Sequence, residues 1–202
     1  MASLRISGPA VPLGRANIDT DLIIPARYMK RVSREGLGEG AFDALRGDPG
    51  NPFDDPRYRG APILIAGANF GCGSSREHAV WALRQIGIEA VIAPSFGEIF
   101  EGNALRNGLL PVRLPEGAVR GLLALEPDEA LTIDVEAQLV ITPAGDRLAF
   151  SLDPFRKRCL IEGLDDIDLT AQLEPEIRAY EARARQERPW LVPQALEQES
   201  RT

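Results

Sequence analysis

The sequence has one histidine and two cysteines, Cys72 and Cys159, among 202 residues. That scarcity rules out a usual zinc or iron–sulfur ligand set built within this chain, because such sites draw four ligands, mainly cysteine and histidine. Two thiols allow one disulfide at most, and a cytoplasmic setting argues against even that. Any Ser–His catalytic pair has to use His78. No apolar run reaches the roughly 20 residues of a membrane-spanning helix. The start, Met1-Ala2-Ser3-Leu4-Arg5, lacks the charged-then-apolar layout of a secretory signal, so a cytoplasmic protein is expected. Basic residues are outnumbered, 23 Lys and Arg against 30 Asp and Glu, giving a net charge of -7. This argues against a general basic surface for nucleic acid. It does not exclude an anionic substrate, because the potential inside a cleft can oppose the global sign. Any anion site must then be built locally.

What is present suits a globular domain: 44% hydrophobic and 26% charged residues, with no internal repeat or low-complexity tract. The expected organisation is one domain over residues 1–187 and a proline-containing, polar, loosely ordered arm over 188–202. Residues 2–13 read as a short strand. Asn17-Ile18-Asp19-Thr20-Asp21 is turn-rich and precedes the short apolar element Leu22-Ile23-Ile24-Pro25. Residues 33–60 read as a long loop with one short helix near Ala41–Leu45, and long loops in compact domains often serve as lids or binding loops.

Ile63-Leu64-Ile65-Ala66 has the composition of a buried strand. A glycine-rich stretch follows to Gly73. Ser74-Ser75-Arg76-Glu77 fits the capping box S-x-x-E, which predicts a helix opening at Ser74, with Glu77 reaching back, and stopping at Gly87. Glu89–Ala93 is the next strand, so strand, helix and strand form a parallel βαβ crossover. A second unit repeats the pattern, with a helix from Ser95 to Gly108 and a strand at Leu109–Val112. Period-two alternation from Ala130 to Leu152, with apolar residues at Leu131, Ile133, Val135, Leu139, Ile141, Leu148, Phe150 and Leu152, predicts a β-meander. Asp153-Pro154 caps a helix ending at Gly163, and a charged helix covers about 174–187. The fold class is therefore α/β, with βαβ crossovers and a β-meander.

The stretch Asn69 to His78 concentrates the chemistry. Its glycines let backbone N–H groups turn toward a ligand, and a helix start adds unpaired donors and partial positive charge. Ser74, Ser75 and Arg76 stand at the same point, and Arg76 has the fork geometry to hold a carboxylate bidentately. The alternative is that Ser74 is only an N-cap and Arg76 only a surface charge. His78, one turn into the same helix, is poorly placed for a hydrolase triad and reads as a structural or interface hydrogen-bonder. Cys72 reads as structural or site-lining.

The run Phe70-Gly71-Cys72-Gly73-Ser74-Ser75-Arg76-Glu77-His78-Ala79 closely resembles the signature of the aconitase swivel domain and of its free-standing relatives, the small subunits of isopropylmalate isomerase. Asn17 to Asp21 with Ile23-Ile24-Pro25, and Ala93-Pro94-Ser95-Phe96 through Gly108-Leu109-Leu110-Pro111-Val112, resemble two further motifs of that family. The resemblance runs from about residue 6 to 185.

It implies a swivelling β/β/α fold like the aconitase C-terminal domain, and a hydro-lyase acting on a small dicarboxylate in leucine biosynthesis. It implies a heteromer in which the partner, a large subunit, holds a [4Fe–4S] cluster on three cysteines, with no cofactor on this chain. By the same resemblance Ser74 is the catalytic base, Arg76 the substrate-carboxylate arginine and Ser75 an adjacent carboxylate contact. Arg15 matches loosely an arginine near the base, with a plain surface arginine as the alternative. The segment Ala26 to Arg31 faces the variable part of the substrate. There Tyr28 and Met29 offer apolar surface for an isopropyl group, while Lys30 and Arg31 offer charge for a third carboxylate, as a homoaconitase needs. The loop at about 38–58 is shorter than in many relatives and lacks a tryptophan. A homoaconitase or a methylmalate-type or dimethylmalate-type dehydratase therefore stays open, as does, in another class, a non-catalytic anion-binding domain.

Overall fold

The computed structural model describes residues 4–30, 35–73 and 76–191. The chain divides into two compact units, Met1–Gly163 and Leu164–Thr202. The first unit holds two four-stranded sheets. The expected first strand is in fact two, β1 (Arg5–Gly8) and β2 (Ala10–Pro12), separated only by Pro9 and belonging to different sheets. β1 pairs antiparallel with β6 (Leu131–Asp134), which continues into β7 (Leu139–Ile141) and β8 (Arg147–Ala149). β2 pairs parallel with β3 (Ile63–Ile65), then β4 (Ala90–Ala93), then β5 (Leu110–Arg113).

The parallel sheet is buried on both faces, which is why its strands read as continuous apolar runs. Successive side chains alternate between faces. Leu64 and Val91 join one core with Ile23, Phe42, Phe70, Leu83 and Phe100. Ile63, Ile65 and Ile92 join a second core with Leu131, Ile133 and Val140 of the antiparallel sheet. The layers are therefore antiparallel sheet, parallel sheet, helices, the β/β/α arrangement that the resemblance implies.

Helices α1 (Thr20–Ile23), α2 (Glu77–Gln85) and α3 (Glu98–Arg106) contribute to the first core, and α4 (Glu116–Leu122) to the second. The long loop is built from 3-10 turns at Leu37–Gly40, Asp43–Leu45, Pro52–Asp54 and Pro56–Tyr58, and fully buries Phe42. α5 (Pro154–Glu162) is capped by Asp153, whose side chain accepts from Arg156 N–H, and ends at Gly163 in the left-handed region (φ 66). In the second unit α6 (Asp166–Ala171) begins with a capping box made by Asp165 and Asp168, and α7 (Glu174–Glu187) follows. No helix among the described residues is long and apolar enough to cross a membrane.

Three local expectations are corrected. α2 starts at Glu77 with Arg76 as N-cap (φ -102, ψ 139) and no side-chain cap bond. There the Glu77 carboxylate accepts from Asn107, the C-cap of α3. α3 starts at Glu98, not Ser95, because the Ser95 hydroxyl accepts from the Asn69 N–H in the neighbouring loop. In β7 the buried residue is Val140, not Leu139 or Ile141, since Val140 lies opposite the buried Ile133 and cross-strand partners share a face.

Candidate active site

Strands β2, β3 and β4 run parallel, so the segments leaving their carboxyl ends gather at one sheet edge, where ligands bind in open α/β sheets. Those segments carry the three sequence motifs. Backbone bonds stitch them together. Asn17 N–H donates to the Ala68 carbonyl at 2.8 Å, and Gly71 and Cys72 both donate to the Ile18 carbonyl, at 2.7 and 3.2 Å. Thr20 N–H donates to the Cys72 carbonyl at 3.2 Å, Phe70 N–H to that of Ser95 at 3.0 Å, and Gly97 N–H to that of Phe70 at 2.9 Å. Asn69 ties all three motifs at once. Its side-chain amide donates to Asn17 Oδ1 at 2.9 Å, and its N–H to Ser95 Oγ at 2.8 Å. Asn17 and Asn69 both take left-handed backbone (φ 55 and 61), which asparagine tolerates better than other residues with a Cβ.

Gly71 shows why the loop needs glycine. Its φ is +72, and a Cβ built there would lie 2.1 Å from Cγ of the fully buried Phe100. Phe100 in turn packs edge-on against Phe70, with ring centroids 5.2 Å apart. The glycine-rich loop is therefore pressed onto the aromatic core, and its backbone conformation is set by that contact.

Arg76 stands at the start of α2. Its Nη1 donates to Asp21 Oδ1 at 3.2 Å and approaches Met29 Sδ at 3.7 Å. The guanidinium side chain remains 40% exposed, so it is both held and reachable. A guanidinium has five donors, more than Asp21 engages. Asp19 is occupied otherwise: its carboxylate caps α1 by accepting from Leu22 N–H at 2.7 Å.

Of the residues singled out in the sequence, Arg76 and Met29 are thus brought together. Tyr28 is packed into the core margin, with its ring against Gly40 and beneath the Arg27 guanidinium, 5.1 Å from the centroid. Arg15 joins the motif network through its main chain, its carbonyl accepting from Gly67 N–H at 2.9 Å. Its side chain lines a separate cavity of about 270 Å³ with Leu45, Asp48 and Asn51. Among the described residues no hydrogen bond or ion pair links Arg15 or Tyr28 to Arg76. Ser74, Ser75 and the side chain of Lys30 lie outside the described residues. His78 lies against Trp81, with ring centroids 4.8 Å apart. Cys72, half-buried beside Asp19, and Cys159, buried on α5, are both free thiols. In the sequence Asp21 belongs to the turn-rich motif from Asn17 to Asp21. Nothing local marks it as the partner of a residue 55 positions away.

A model of the aconitase C-terminal domain matches residues 2–117, and a model of the C-terminal domain of the 3-isopropylmalate dehydratase small subunit matches 166–194. The chain belongs to the aconitase C-terminal domain family. Within it, the group is that of the 3-isopropylmalate dehydratase small subunits. The small subunit of Zymomonas mobilis is 56% identical over 186 residues, covering 92% of this chain and 97% of the relative. That of Novosphingobium aromaticivorans is 55% identical over 188 residues, covering 93% of each. A crystal structure of 3-isopropylmalate dehydratase from Methanocaldococcus jannaschii superposes with a TM-score of 0.66 at 26% identity, covering 88% of this chain and 99% of that one.

Proposed function

We propose that this chain is the small subunit of a 3-isopropylmalate dehydratase, and that with a large subunit it interconverts 2- and 3-isopropylmalate through isopropylmaleate. The observation that carries the reading is Arg76, held by Asp21 and Met29 beside the glycine loop at the carboxyl edge of the parallel sheet. Arg76 binds a substrate carboxylate as a fork, and Ser75 contacts it alongside. Ser74 acts as base. Its alkoxide takes the proton from the carbon beside a carboxylate, and the C–H electron pair becomes the new C=C bond as the neighbouring C–O bond breaks and hydroxide leaves with that bond's pair; a cluster on the large subunit would supply the Lewis acid that takes it up. In the hydration direction the Ser74 hydroxyl returns the proton. A free serine hydroxyl is too weak an acid for this role. Backbone N–H groups at the start of α2 and the Arg76 guanidinium stabilise the alkoxide.

The iron–sulfur cluster that the family implies does not fit this chain. Its cysteines number two, and among the described residues no group of three or more His, Cys, Asp or Glu side chains is placed to hold a metal. The cluster is assigned to the large subunit, and the steps above are those this chain performs.

The test is anaerobic co-expression with the cluster-binding large subunit, with assays on isopropylmalate, homocitrate and methylmalates. Turnover of isopropylmalate supports the reading. Turnover of homocitrate or a methylmalate alone reassigns the substrate, and an assembled, cluster-loaded but inert complex leaves an anion-binding domain. In the active complex Ser74→Ala should remove turnover, by about a thousandfold or more, with assembly intact.

A further inference from the structure

We propose that Asn107 is a positioning residue that holds the Glu77 carboxylate away from the anion site at Arg76. Asn107 is the C-cap of α3. Its Nδ2 donates to Glu77 Oε1 at 2.8 Å and to the Asn103 carbonyl at 2.8 Å, while its Oδ1 accepts from Trp81 Nε1 at 2.8 Å. The indole N–H can only donate, so it fixes which end of the amide faces Trp81. The other end is thereby turned to Glu77. A part-buried three-way contact thus fastens the first turn of α2 to the end of α3.

The need for such a contact follows from charge. Glu77 is the first helical residue of α2, adjacent in sequence to Arg76. A carboxylate there is drawn to the positive end of the helix and to the guanidinium beside it. Those are the groups that a dicarboxylate substrate needs. The acidic residues of these motifs are engaged: Asp19 by Leu22 N–H, Asp21 by Arg76, and Glu77 by Asn107. Asp21 steadies Arg76 from the side. Glu77, unheld, becomes an internal competitor for it.

The inference rests on the proposed role of Arg76. Its test uses the complex with the large subunit. Asn107→Asp keeps an acceptor for Trp81 but sets carboxylate against carboxylate, so KM for isopropylmalate should rise about tenfold while kcat changes by less than about twofold. Adding Glu77→Gln restores the bond between the two side chains with donor and acceptor exchanged, leaving only the Asn103 carbonyl without its donor, and KM should return to near the parent value. A KM unmoved by Asn107→Asp, or raised equally with and without Glu77→Gln, overturns the proposal. So does a loss of assembly that Glu77→Gln does not relieve. Arg76→Lys in the same assay separates the two levels: an unchanged KM there overturns the substrate role of Arg76 and this inference with it.

Discussion

Asp21 and Arg76 lie 55 residues apart in sequence and meet at 3.2 Å, joining the helix after β2 to the first turn after the glycine loop. Both are substantially exposed, at 57% and 40%. An exposed pair of this kind adds little to stability. Its consequence is orientation: the carboxylate fixes one edge of the guanidinium and leaves the others for a ligand. Arg76→Lys should therefore raise KM about 10- to 100-fold in the assembled enzyme, because an ammonium cannot reproduce the fork. Asp21→Ala should raise it about tenfold with the melting temperature nearly unchanged, since exposed pairs stabilise weakly. Steady-state kinetics and a thermal melt on the same preparations check both.

Gly71 and Gly117 make a matched pair. Gly71→Ala forces a Cβ into Phe100 from left-handed backbone and should cost about 3 kcal/mol or more. Gly117 lies inside α4, where an added Cβ meets nothing within 4 Å. Gly117→Ala should therefore be neutral or stabilise by up to about 1 kcal/mol. Denaturant titration of the two variants against the parent measures the contrast.

Asp134 links stability to pH. The Ala137 N–H, donating to its Oδ1 at 2.8 Å, holds its carboxyl below the usual carboxylate range; burial opposes this, and the Arg5 guanidinium reinforces it. The folded value thus lies below the unfolded one of about 3.9. The contribution is fully present above the unfolded value and is lost as pH falls through the folded one. Asp134→Ala should cost about 2 kcal/mol at pH 7, and the gap to the parent should begin to narrow below about pH 4. Urea denaturation across pH 3 to 7 checks the sign.

The elements that read correctly from sequence have strong local causes. Asp153-Pro154 with Gly163 frames α5, and the apolar runs at Ile63 and Ala90 become doubly buried parallel strands. The pieces that did not read correctly are those where a distant residue outbids a neighbour. Ser95 looks like a helix cap and instead serves Asn69, while Glu77 looks like the return arm of a capping box and instead serves Asn107. α4 and α6, seven and six residues long, are too short to develop a periodic pattern, so neither stood out.

By itself the sequence determined the doubly buried parallel strands, the capped helix α5, and that a glycine–serine–arginine run forms a family signature, because φ/ψ preference and hydrophobic period are local properties. Only the tertiary structure decided that three motifs from separate segments meet at one sheet edge, that Asp21 holds one edge of Arg76, and that α2 starts at Glu77. Those outcomes depend on which hydrogen-bond partners packing brings within about 3 Å, and no local pattern encodes that distance.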